Sequence, residues 1–373
     1  MGSSIRLGRF AGIEIGVNWS WLVVFALIVW SLASAVFPAQ NPGLSHGAYI
    51  AMAVVAAVLF FVSLLAHELG HAVTARHEGM EIEGITLWLF GGVAKFKGMF
   101  PSAGAELRIA LAGPAVSLVI GITCTLIAWA FALPTGIDGV FAWLGYINLL
   151  LLAFNLLPAL PLDGGRVLRA LLWLARGDFA WATHVSASVG RAFSFLFIAG
   201  GIFLFVFQGA FSGAWLAFIG WFLLMASSAE TRYLAAREAL GGLRVRDLMT
   251  REPLTVPAGY TLGRFMDEVA WIHRYTTYPV LDDGHFIGLL PFRSVAAVPR
   301  SEWDRKGVRD CLVPDERVPS LTEDELAIDA LGELSQSSIS RGVILDDGRL
   351  VGLLSISDLA RALQASPRTP SRA

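Results

Sequence analysis

Residues 64–73 read LLAHELGHAV. Three ionisable side chains, His67, Glu68 and His71, stand inside a run that is otherwise apolar. On a helix, residues four apart share a face, so His67 and His71 can grip one ion together, with Glu68 at the edge of that face. The flanks, from about residue 51 to residue 75, are apolar enough for a helix that crosses a bilayer. Ionisable groups at that depth are costly and usually functional. That weighs against two histidines merely satisfied in a core.

The composition outside this stretch supports a membrane setting. Of 373 residues, 55% are hydrophobic and only 16% charged, too apolar for an ordinary soluble protein. Charge is sparse before about Glu230 and frequent after it, so a membrane half is expected to precede a soluble half. A net charge of −2 gives no reason to expect a nucleic-acid partner. Cys124 and Cys311 lie one in each half, and imply neither a disulfide framework nor a thiolate metal site.

Six spans are predicted, at about 19–37, 51–75, 107–131, 141–157, 189–207 and 214–233, each near the ~20 residues a bilayer requires. Residues 31–36 also resemble a signal-peptide cleavage site, but the leader is long and weakly basic. Residues 81–97 are apolar but broken by Gly84, Gly91 and Gly92, and are read as a short strand pair near the membrane surface. A short helix is expected over 166–175. The stretches 38–48, 132–140 and 208–213 hold no Lys or Arg, whereas Arg6, Arg9, Arg76, Lys95, Lys97, Arg108, Arg166, Arg169, Arg176, Arg232 and Arg237 fall on the other side. Because Lys and Arg stay cytoplasmic, both termini and the metal-bearing end of the second span are expected on that side.

H-E-x-x-H is a signature of zinc metalloproteases: two imidazole ligands and a carboxylate that handles the proton of an attacking water. Two histidines leave such a site one protein ligand short. His77 follows His67 by the spacing metzincins use, but Thr74 stands where they have glycine. On an unbroken helix His77 lies about 240° around from His71 and faces away. Asp163 is shaped by two prolines and two glycines, in the run NLLPALPLDGGR over residues 155–166. It could ligate zinc or merely cap the helix that follows. The pattern leaves both open.

Taken together, His67-Glu68-x-x-His71 in an apolar span, Ala112-Gly113-Pro114, and Asn155-x-x-Pro158-x-x-Pro161-Leu162-Asp163-Gly164-Gly165-Arg166 resemble the site-2 proteases, which are intramembrane zinc metalloproteases. Gly91-Gly92 resembles that family's glycine pair, and the likeness covers most of residues 1–235. The resemblance implies one zinc ion with Asp163 as third ligand, Glu68 as catalytic acid–base, and Asn155 positioning substrate or steadying the transition state. The family often has Asn where Ser117 stands, so no role passes to Ser117.

The soluble half repeats itself. Val245-Arg246-Asp247 recurs as Val308-Arg309-Asp310, and DDGHFIGLL at 282–290 recurs as DDGRLVGLL at 346–354. The Asp-Gly pairs mark hairpins, and helices are expected at 292–298 and 357–364. The repeat resembles a pair of CBS domains over about 245–365, expected as 245–300 and 301–365 after a linker at 236–244, with a disordered tail at 366–373. Such pairs commonly bind adenine nucleotide (ATP or AMP) or dimerise. Their nucleotide signature is met by Gly352, Ser355 and Asp358. The first copy departs from it with Pro291 and Ser294. The expected fold is thus a polytopic α-helical membrane protein of about six transmembrane helices with a short membrane-associated β element, followed by an α/β tandem CBS domain. The partners expected are membrane lipid, a transmembrane protein substrate, adenine nucleotide and a second copy through the CBS pair. A CBS-regulated channel or transporter is the alternative, but a channel has no need of Glu68 between two histidines.

Overall fold

The computed structural model describes residues 4–10, 12–88, 91–96 and 99–365. Lys97 and the tail at 366–373 lie outside the described residues. The chain divides into two compact units, Met1–Arg232 and Tyr233–Ala373.

The first unit holds helices long and apolar enough to cross a membrane, and with the last of them, which ends in the second unit, they number six among the described residues. The first, Ser20–Gln40, comprises α1 (Ser20–Ser31), a π-helical stretch at Leu32–Val36 and α2 (Phe37–Gln40). Residues 31–36, read above against a cleavage site, therefore lie inside one continuous helix. Then come α3 (His46–His77), α4 (Ala103–Ala130), α5 (Thr135–Asn155), the shorter α6 (Asp163–Arg176), α7 (Phe179–Gln208) and α8 (Phe211–Leu240). Their starts are written in polar caps: the Ser45, Ser102 and Asp178 side chains accept from the amides of Ala48, Ala105 and Trp181. Gly177 and Gly209 end α6 and α7 in the left-handed conformation that glycine tolerates. At 32 residues, α3 is ~48 Å long at 1.5 Å per residue, longer than the ~30 Å hydrocarbon core.

Over α3 lies a four-stranded sheet in the order β1 (Ser4–Phe10), β2 (Ile13–Asn18), β3 (Ile82–Trp88), β4 (Gly91–Phe96). β3 and β4 form the antiparallel pair expected at 81–97. The N-terminal hairpin was not expected. Ile13, Ile15 and Val17 are buried and alternate with more exposed residues, as a strand with one core face requires. β2 runs parallel to β3, with Ile15 opposite Ile85. Ile13 and Ile85 pack on Ala72 of α3, so this small apolar core fixes the sheet above the helix that carries His67 and His71.

In the second unit each repeat builds a mixed sheet. One joins Val256–Pro257, Thr277–Asp282, His285–Pro291 and Val313–Pro314. The other joins Ser320–Leu321, Arg341–Asp346, Arg349–Ser355 and Thr250–Arg251. Each copy therefore lends an edge strand to the other. Asp283-Gly284 and Asp347-Gly348 both have positive φ, the type I′ geometry that Asp-Gly favours between paired strands. The expected helices are Phe292–Ala296 and Ile356–Ala365. Phe286, Leu289, Val318, Ile339 and Val343 form a core shared by the two copies.

Candidate metal centre

His67 and His71 stand one turn apart on α3 and are 2% and 5% exposed. Their Nε2 atoms are 3.2 Å apart. Asp163, the first residue of α6, brings Oδ2 to 3.2 Å from Nε2 of His67 and 3.3 Å from Nε2 of His71. Among the described residues this is the one group of His, Cys, Asp and Glu whose donor atoms converge as a metal site requires. His77, at the exposed end of α3, stands apart from it.

The capping alternative for Asp163 finds no place in this geometry. The N-cap of α6 is Leu162, which makes no side-chain cap bond, and the carboxylate turns to the imidazoles instead. The glycines that follow explain how the chain gets there. A Cβ on Gly164 would lie 2.2 Å from the Leu156 carbonyl oxygen, and one on Gly165 2.3 Å from the Leu160 nitrogen. Only glycine lets the 156–160 turns fold this tightly against the start of α6.

Both rings are held from behind by α4. Nδ1 of His71 lies 2.7 Å from the Ile109 carbonyl oxygen, and since a carbonyl only accepts, Nδ1 carries the hydrogen. In the neutral ring Nε2 is then a bare lone pair. It faces a carboxylate oxygen, another acceptor, and a metal ion between the two, like a second proton on the ring, makes that pairing favourable. Nδ1 of His67 lies 2.9 Å from Oγ of Ser117, which is fully buried. Gly113 sits between these two orienting residues on α4, and a Cβ there would lie 2.2 Å from Nε2 of His71 and 2.6 Å from Nε2 of His67. The cradle exists because the residue has no side chain.

These facts test the fit of zinc. Two nitrogens and a carboxylate oxygen are accepted zinc ligands at 2.0–2.2 Å, and a tetrahedral arrangement at such lengths puts ligand atoms ~3.3 Å apart. The separations here are 3.2, 3.2 and 3.3 Å. The donor set, its spacing and the space over Gly113 all suit that ion.

Glu68 is half-buried and points at β4: a Cβ on Gly92 would lie 2.3 Å from its Cγ and 3.0 Å from its Oε1. Asn155, half-buried, ends α5 before the turns that lead to Asp163. Ser117, to which no role passed from the family's Asn, is the residue whose part the sequence did not reveal. Its signal was its spacing, four residues after Gly113 and so on the same face of α4. In the second unit Gly352 and Ser355 belong to one strand, and Asp358 lies in the first turn of the next helix. Asp358 Oδ2 accepts from the Ser355 amide at 3.0 Å and its hydroxyl at 2.6 Å, and Arg361 holds Oδ1.

Residues 55–134 and 127–199 match the model of peptidase family M50, and residues 245–300 and 308–365 match the CBS domain. A Mycobacterium tuberculosis (strain ATCC 35801 / TMC 107 / Erdman) protein with the provisional name zinc metalloprotease Rip3 is 38% identical over 97% of this chain and 93% of its own length. The zinc metalloprotease MJ0392 of Methanocaldococcus jannaschii is 29% identical over 97% of both chains. The solved site-2 protease from the same archaeon is 30% identical, covers 62% of this chain and 96% of its own, and superposes with a TM-score of 0.43. With its converging donors, its long apolar helices and its near full-length likeness to Rip3, the chain belongs to peptidase family M50, the site-2 type of intramembrane zinc metalloprotease, and carries a tandem CBS pair.

Proposed function

We propose that this protein cleaves peptide bonds in or beside the transmembrane segments of other membrane proteins, with His67, His71 and Asp163 holding zinc and Glu68 carrying the proton. The observation that carries this reading is the convergence of three buried donors from two helices to 3.2–3.3 Å. When bound, zinc supplies a Lewis acid that polarises a carbonyl and makes water nucleophilic near neutral pH. Glu68, next to His67 in sequence and not one of the three converging donors, accepts a proton from the attacking water and passes it to the leaving amine. Asn155 offers its amide N–H to the carbonyl oxygen as negative charge builds there.

A membrane helix hides its carbonyls in its own hydrogen bonds, so a substrate unwinds before attack. β4 is the outer strand of the sheet and abuts Glu68 through Gly92. An unwound substrate strand added at that edge lies beside the acid–base residue. The Lys and Arg distribution supports cytoplasmic termini. The exposed aromatic residues Trp129, Phe207, Phe211 and Trp215 lie at two of the three connections that lack Lys and Arg, as a belt on the opposite face would. Gly352, Ser355 and Asp358 are the residues for adenine nucleotide, and the CBS pair is the surface for a second copy.

The test is Glu68→Gln in purified protein reconstituted with a transmembrane substrate. Zinc content by elemental analysis is expected to stay at one per chain, while cleavage falls about 10²- to 10⁴-fold. Loss of zinc with retained cleavage would reverse the assignment.

A further inference from the structure

A second buried cluster lies on the elements that build the metal centre. Arg169 of α6 is 2% exposed and Glu106 of α4 is fully buried. Arg169 donates Nε–H to Glu106 Oε1 at 2.7 Å, with Nη2 at 2.6 Å from the same oxygen, and Nη1–H to Glu230 Oε1 of α8 at 2.7 Å. Its guanidinium also lies 5.0 Å from the ring centroid of Phe179. Stability alone is a poor account of this cluster. Buried ion pairs seldom outdo apolar packing, and the second oxygen of Glu106 is buried with no hydrogen-bond partner.

Placement gives a better account. Glu106, Ile109, Gly113 and Ser117 follow one another along one face of α4 at spacings of three and four. The last three hold or border the two imidazoles. Arg169 belongs to the helix that begins with Asp163, ~9 Å further along it at 1.5 Å per residue. The Glu106–Arg169 pair therefore ties the helix that orients the histidines to the helix that supplies the carboxylate. We infer that Glu106 and Arg169 are positioning residues that set Asp163 in register with His67 and His71; this rests on the zinc assignment above. A pair buried from water with two donors on one oxygen fixes the sliding and rotation of α6 against α4 as apolar side chains, which pack in many registers, do not.

The experiment uses the full chain in detergent with zinc affinity, measured by chelator competition, and the visible absorption of the cobalt-substituted protein as readouts. Glu106→Leu with Arg169→Met removes both charges, and Glu230, one-third exposed, keeps access to water. This double variant is expected to unfold at no lower temperature than the wild type. Its zinc Kd is expected to rise about 10- to 100-fold, the usual cost of losing an outer support, and its cobalt bands to weaken and shift. Should it fail to fold, Arg169→Lys serves instead. It keeps one charge but cannot hold both carboxylates with a planar fork, and the same loss is expected. Unchanged Kd and unchanged cobalt bands in the folded variant, beside a His67→Ala control that has lost zinc, overturn this inference alone. Zinc retained in His67→Ala overturns the metal assignment and this inference with it.

Discussion

Gly113 shows how a single absent side chain shapes this site. Its missing Cβ is the volume toward which both Nε2 atoms point. Gly113→Ala is favourable for helix propensity, by roughly 1 kcal/mol, so α4 is expected to persist while the new methyl group takes the space of the ion. Zinc per chain is expected to fall from one toward zero with the helical circular dichroism unchanged, and zinc content after dialysis checks it. The sequence made His67, Glu68 and His71 legible because four-residue spacing is a local property of a helix. Asp163 is ninety-six positions from His67, and no local pattern separates a ligand from a cap there. Only the likeness to a known motif did so, before the geometry put its carboxylate on both rings. The contact of Ser117 with His67 stayed hidden because the two lie on different helices, and a lone serine in an apolar span carries no mark of what it faces.

Between elements, the contact that matters most for chemistry is that of β4 with α3. Gly92→Ala would put a methyl group where the Glu68 side chain now lies, 2.3 Å from Cγ. The Glu68 carboxylate must then move while the three donors stay. Cleavage is expected to drop at least tenfold with zinc content unchanged, the opposite signature to Gly113→Ala. Parallel activity and metal assays separate the two. Five of the six expected spans match helices to within about seven residues at each end, and the fifth falls short. α7 begins at Phe179 rather than near 189, since its first turns carry polar residues that dilute the apolar signal while the Asp178 cap fixes the true start. The N-terminal hairpin was missed although the alternation at Ile13, Ile15 and Val17 was there to see. A strand so short is recognised only with its partner, and β3 lies two whole spans away in the sequence.

At the scale of the molecule, the chain joins a membrane unit to a unit of two interleaved repeats. The repeats were legible from the duplicated Asp-Asp-Gly hairpins. The exchange of edge strands was not, because Thr250–Arg251 and Val313–Pro314 are two residues each and carry no periodicity. Asp358 is engaged by Ser355 and Arg361, so a nucleotide bound there would have to compete for a carboxylate already in use. ATP or AMP at 100 times its Kd is expected to stabilise the second unit by about 2.7 kcal/mol and to change the cleavage rate. Asp358→Ala is expected to abolish both effects while costing about 1 kcal/mol for the lost hydrogen bonds from Ser355. Thermal unfolding with and without nucleotide, beside the cleavage assay, reads the two together.

The parallel seam between β2 and β3 bears on how the protein is made. The hairpin that supplies β2 leaves the ribosome well before β3 exists, and two complete helices must enter the bilayer before the seam can close. Until then the nascent chain presents an unpaired strand edge at the membrane surface. A bulky fusion partner at the amino end would sit beside that edge during synthesis, so reporters and purification handles belong at the other end of the polypeptide.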